Sequence, residues 1–150
     1  MQENTFVHKV TKILLDILIV LGAVCTVASY PIARMLQQMT NDDPSVIFPF
    51  TLTLLFSGAL AVFILIQLRK MFKTLLNDDP FVSENVSSLR KIALAAALIS
   101  LIYFIKCFFR PTFMTLVVFM AFAVATLFSL TLKDVFKRAV NLRQENDLTI

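Results

Sequence analysis

Apolar residues fall into four long blocks, at 13–33, 46–68, 92–109 and 112–132, separated by short segments that hold most of the charge. A helix needs about 20 residues to cross roughly 30 Å of hydrocarbon, and each block is of that order. The pattern predicts an all-α, integral membrane four-helix bundle occupying 1–150 as a single domain. More than half the chain lies in the spans, so no room remains for a separate soluble domain. The first block is longer than the roughly 7–15 residues of a signal-peptide core, and no A-x-A cleavage site follows it. Bulky Val24 before Cys25 argues against lipoprotein processing, so the block reads as a retained span.

The periodicity continues past the spans. Leu68, Phe72, Leu75 and Leu76 extend the second at helical spacing, and Leu132, Val135, Phe136 and Ala139 extend the fourth. Asp79-Pro80 reads as an N-cap followed by proline at the first helical position, with Val82, Val86 and Leu89 as a stripe leading into the third span. Phe6, Val10, Ile13 and Leu14 form another ahead of the first. These stripes predict helices that protrude into the cytosol and pack as a small cap. On the opposite side, Arg110-Pro111 reads as a tight turn, and 35–45 as the longer connection. Asn41-Asp42-Asp43-Pro44 recurs as Asn77-Asp78-Asp79-Pro80, which reads as convergent helix-start chemistry, with an inverted structural repeat as the alternative.

Charge then sets the orientation. Of the 14 basic residues, 11 flank the termini and the 69–91 segment, whereas Arg34, Lys106 and Arg110 lie on the other side. Lys and Arg favour the cytoplasmic side, so both termini are expected inside, in a bacterial inner membrane. The net charge of +4 is accounted for by this asymmetry and by anionic headgroups, not by direct nucleic-acid binding. Small residues at helical spacing, Ala121/Ala125/Ser129, Ala93/Ala97, Ala96/Ser100 and Ser57/Ala61, suit close helix packing within the monomer and leave a homo-oligomer open.

Enzymatic signatures are sparse. The single histidine, His8, reads as a solvated helix residue, and no metal-ligand spacing occurs, so neither catalytic residues, metal nor cofactor are expected. Cys25 and Cys107 are too far apart for a C-x-x-C pair and read as apolar packing residues. Two glycines, Gly22 and Gly58, both in spans, cannot build a phosphate-binding loop.

Ionisable groups in spans are costly and point to function by default. Asp16 lies one turn into the first span, where Lys12 is placed to pair with it; a structural pairing and an ion-coupled role are the two readings. Lys106 and Arg110, a turn apart, read as snorkelling side chains, as an anion trap, or as partners of Asp42 and Asp43.

The densest polar cluster, Asp78 to Lys91, faces a C-terminal tail that ends in apolar Leu148 and Ile150. A frayed tail and a docked one both fit that ending. Asp79-Pro80-Phe81-Val82-Ser83-Glu84-Asn85-Val86-Ser87-Ser88-Leu89-Arg90-Lys91-Ile92 and Gln144-Glu145-Asn146-Asp147-Leu148-Thr149-Ile150 resemble the signature stretches of a bacterial membrane family known as domain of unknown function 2975. The resemblance extends to length and span count. The family pattern often has glycine after the Arg-x-Ile step, where this chain has Ala93. What the resemblance implies is a small four-span inner-membrane protein, often encoded beside a small helix-turn-helix repressor of the Cro type, with no activity established by membership. It makes Phe81, Glu84, Asn85, Arg90, Glu145, Asp147 and Leu148 the expected partner-binding surface of a non-enzymatic signalling module. The alternative is a small transport or immunity protein acting against a membrane-active peptide, with Asp16, Lys106 and Arg110 as its residues.

Overall fold

A computed structural model of the chain describes residues 2–76 and 81–148. Five α-helices account for nearly all of them: α1 (Gln2–Val27), α2 (Ser29–Thr40), α3 (Ile47–Leu76), α4 (Ser83–Phe109) and α5 (Phe113–Leu148), with a 3-10 turn at Pro44–Val46 before α3. α1, α3, α4 and α5 are long and apolar enough to cross a membrane. The all-α membrane architecture expected from the apolar blocks is present.

The interior is more polar than the surface. Ser57, Gln67, Asn85, Ser88, Ser100, Thr115 and Ser129 are buried, whereas Leu21, Val24, Phe56, Phe108 and Leu127 are exposed. Lipid solvates an apolar side chain as well as a protein core does, so helix association selects small and polar residues for the contacts. The stripe Phe6, Val10, Ile13 and Leu14, expected to turn inward, is therefore exposed. α1 instead presents Asp16, Gly22 and Thr26 to α3.

The bundle is open: α1 packs on α3, α3 on α4 and α4 on α5, with no comparable packing of α5 on α1 or α3. Three contacts set the antiparallel register of α1 and α3. Arg69 meets Asp16, Val62 meets Gly22 and Gly58 meets Thr26. A Cβ on Gly58 would stand 2.5 Å from Thr26 Oγ1, so only glycine admits this approach. α4, lined by Ala93, Ala95, Ala96 and Ile99, is the most buried helix. Its Ser100 hydroxyl donates to Phe119 O on α5 at 3.3 Å.

Several boundaries differ from the sequence expectation. The first span breaks at Ala28 (φ −81°, ψ 14°), three residues before Pro31. Proline has no N–H to offer the preceding turn and clashes with its carbonyl. The segment 35–45, expected as a loop, is helical to Thr40, because α2 buries Ser29 and Ala33 and packs against α3. Asn41 ends α2 in the left-handed region (φ 51°), and Pro44 opens the 3-10 turn. Asp79-Pro80 lies outside the described residues; Phe81 and Val82 are not helical, and α4 starts at Ser83 with Val82 as its cap. Val135 is exposed too, since α5 turns Leu132, Phe136, Ala139 and Val140 inward.

Candidate functional sites at the two rims

The termini, the end of α3 and the start of α4 share one face of the molecule, here the terminal face; the α2–α3 and α4–α5 turns form the far face. On the terminal face, Asn85 occupies the first turn of α4 and points inward. It is 1% exposed, and the Thr74 hydroxyl donates to its Oδ1 at 2.8 Å. Asn85 thus ties α3 to α4 and is removed from the expected partner surface, because a buried amide must be bonded across the interface. Phe81 stacks on Phe136 of α5, ring centroids 5.4 Å apart, and remains partly exposed. Glu84 and Arg90 are exposed and form no ion pair among the described residues.

Beyond Phe136, α5 continues through residues 137–148, about 18 Å of helix at 1.5 Å per residue. From 141 onward every described residue is exposed, including Glu145 and Asp147, with Leu142 at 62% and Leu148 at 86%. The tail therefore continues α5 as a helix whose described side chains are exposed. An ordered helix displaying apolar side chains to water is a surface that another protein can cover.

Nearer the membrane rim, Asp16 pairs with Arg69, not with Lys12. Nε lies 2.6 Å from Oδ1 and Nη2 donates to Oδ2 at 3.1 Å. The antiparallel register brings Arg69 level with Asp16, and only Oδ2 of the carboxylate accepts a hydrogen bond while Oδ1 meets Nε as a charge contact. His8, expected to be solvated, is half-buried against the Phe72 ring at 5.9 Å. Gln67 is 4% exposed, and its Oε1 accepts no hydrogen bond among the described residues.

On the far face, Arg110 Nη2 donates to Asp42 Oδ1 at 2.8 Å, one of the pairings expected there. Asp42 Oδ2 accepts from the Thr40 hydroxyl at 2.9 Å, and its backbone carbonyl accepts from Gln37 Nε2 at 2.6 Å. These bonds join the end of α2 to the α4–α5 turn. The hydrogen bond from Arg110, then that from Thr40, holds the Asp42 carboxyl below the usual aspartate range. Lys106 does not reach a carboxylate. Its ammonium sits over the Phe50 ring, 4.5 Å from the centroid, and 5.6 Å from that of Tyr103.

Between α4 and α5 a groove of about 450 Å³ is lined by Ala97, Leu101, Phe104, Phe119, Ala123 and Leu127. Its two hydroxyls, Ser100 and Thr126, donate to backbone carbonyls. It thus offers apolar surface alone. Among the described residues no three His, Cys, Asp or Glu side chains converge as metal ligands, and both cysteines are free thiols.

Arg69, Phe50 and Gly58 were not singled out from sequence. Matching depth in antiparallel spans is the signal that finds the first two: Arg69 ends the second span where Asp16 begins the first, and Phe50 opens the second where Lys106 closes the third. For Gly58, the signal is scarcity, since glycine occurs only at two mid-span positions.

Four apolar spans with a buried polar interior and ion pairs near both rims define a multi-pass, lipid-embedded helical membrane protein. The chain belongs to the family described as "Protein of unknown function (DUF2975)", whose family model matches residues 31–150, from α2 to the C-terminus. No curated protein and no solved structure matches it.

Proposed function

We propose that the protein is a non-enzymatic signalling module of a bacterial inner membrane, with its terminal face in the cytosol, and that this face binds a small helix-turn-helix regulator. The observation that carries the proposal is the helical projection at 137–148, whose Leu142 and Leu148 remain exposed above the Phe81–Phe136 contact. Glu84 and Arg90, exposed on the first two turns of α4, supply charges for specificity. The excess of basic residues on this face supports the cytosolic orientation. The identity of the regulator rests on the family resemblance, an argument by analogy.

In-cell photo-crosslinking from positions 84 and 148, followed by mass spectrometry, tests the proposal. The expected result is one helix-turn-helix protein captured at both positions. Its capture from position 148 should be lost in Glu84→Ala or Arg90→Ala while membrane insertion is unchanged. Crosslinks confined to the protein's own helices overturn it.

A second function, solute movement or immunity to a membrane-active peptide, is favoured by the paired charges of Asp16 and Arg69 at the membrane rim. Wild-type flux or resistance in Asp16→Asn and Lys106→Ala removes these residues from that role.

A further inference from the structure

Lys106 is a partly buried cation at the end of a membrane-spanning helix, with no carboxylate against it among the described residues. Arg110, one turn on, donates its backbone N–H to Lys106 O at 2.9 Å and adds a second cation beside it. The nearby carboxylate, Asp42, is already engaged by Arg110 and Thr40. Its ammonium is held over the Phe50 ring and beside Tyr103, at the depth where the second span opens and the third closes. Ring faces offset part of the desolvation of an ammonium but bring no counter-charge, and leave its N–H donors open to an anion.

We infer that Lys106, set over Phe50 and Tyr103 and flanked by Arg110, is a seat for a single phosphate group at the far-face membrane boundary. A phosphodiester at that depth compensates the ammonium and accepts its charge-assisted hydrogen bonds. The rings fix the lysine stem, so little side-chain entropy is lost when the anion arrives. Neither the partner regulator nor the orientation of the chain enters this inference.

The test compares lipid retention by native mass spectrometry after reconstitution in equimolar phosphatidylglycerol and phosphatidylcholine. Wild type should retain phosphatidylglycerol selectively. Lys106→Met should retain it roughly tenfold less, the factor for losing one charge-assisted hydrogen bond, and Lys106→Arg should keep it. Phe50→Leu preserves the charge and removes the ring beneath it, so its retention should also fall; should Lys106→Met fail to fold, unchanged retention in Phe50→Leu overturns the seat. A parallel titration of inorganic phosphate into phosphatidylcholine discs, followed by the Lys106 side-chain ¹⁵N resonance, separates the two sources. A saturable shift abolished in Tyr103→Ala assigns the seat to soluble phosphate. Retention equal in wild type and Lys106→Met, with no shift on adding phosphate, refutes the inference.

Discussion

Replacing Gly58 by alanine is the sharpest test of how α1 and α3 are joined. The added Cβ would stand 2.5 Å from Thr26 Oγ1, 3.3 Å from its Cβ and 3.4 Å from its Cγ2. Thr26 cannot yield freely, because its hydroxyl donates to Gly22 O at 2.7 Å and its branched side chain has few helical rotamers. Restoring ordinary contact requires the helices to part by about 0.9 Å, enough to forfeit a quarter to a half of the dispersion at each neighbouring contact. Overpacking of this kind costs about 1–3 kcal/mol. Alanine's helix propensity returns at most about 1 kcal/mol, which leaves a net loss of up to about 2 kcal/mol. Thr26→Ala removes the two atoms that Thr26 carries beyond Cβ, and should rescue Gly58→Ala with a coupling of about 1 kcal/mol in a double-mutant cycle. Reversible unfolding in mixed micelles measures all four proteins. A Gly58→Ala variant more stable than wild type, or one that shows no coupling to Thr26→Ala, would refute the close-contact argument.

Asn85→Ala should destabilise by about 0.5–1.5 kcal/mol, because it removes a hydrogen bond between α3 and α4 while the Thr74 hydroxyl keeps Met71 O as an acceptor; the same micelle unfolding reads it, and a neutral result would show that this bond does not hold the two helices together. Gln67→Leu keeps the shape and deletes an acceptor that finds no donor, so stability should rise by about 1 kcal/mol; a fall of that size would reveal a partner on Oε1. Asp16 and Arg69 are both more than a third exposed, so their coupling in a double-mutant cycle should not exceed about 1 kcal/mol. Asp42 has its folded pKa depressed by Arg110 and Thr40, so its contribution is present above the ordinary aspartate range and is lost as pH falls through the lower, folded value. Distances between spin labels on the α2–α3 and α4–α5 turns should therefore hold through the ordinary aspartate range and widen only as pH falls below it, through the lower folded value, and Asp42→Asn should show the wide distance at every pH.

The spans were legible because hydrocarbon imposes one rule on every side chain that meets it, and 92–105 and 112–132 hold no charged residue. The Arg110–Asp42 pair was legible for a related reason, since two opposite charges in neighbouring turns at one depth have few other places to go. Asn85 was misread by applying the logic of a soluble protein, in which a polar helix residue beside charged neighbours faces water. In this bundle it faces Thr74, as Ser88 and Ser129 are also buried. The same inversion hid the inward face of α1: Phe6 and Ile13 catch the eye in the sequence, while Gly22 and Thr26 make the contact. α2 was obscured by Pro31 and by Gln37 and Gln38, although Gln37 in fact binds the carbonyl of Asp42 and helps end the helix. Pairings such as Lys106 with Phe50 need the register between spans, which composition and periodicity along one strand of sequence do not contain.

The open row of helices bears on synthesis. Among the four spans, every one after α1 leans on the span made just before it: α3 on α1, α4 on α3, α5 on α4. No span must wait, unpartnered in lipid, for a later one to close a ring, so assembly can follow the order in which the ribosome delivers the chain. Each interface joins consecutive spans, so only the single connection between them has to close. A chain halted after α4 would already hold the Thr74–Asn85 and Phe50–Lys106 contacts, lacking only the last span and its projecting tail.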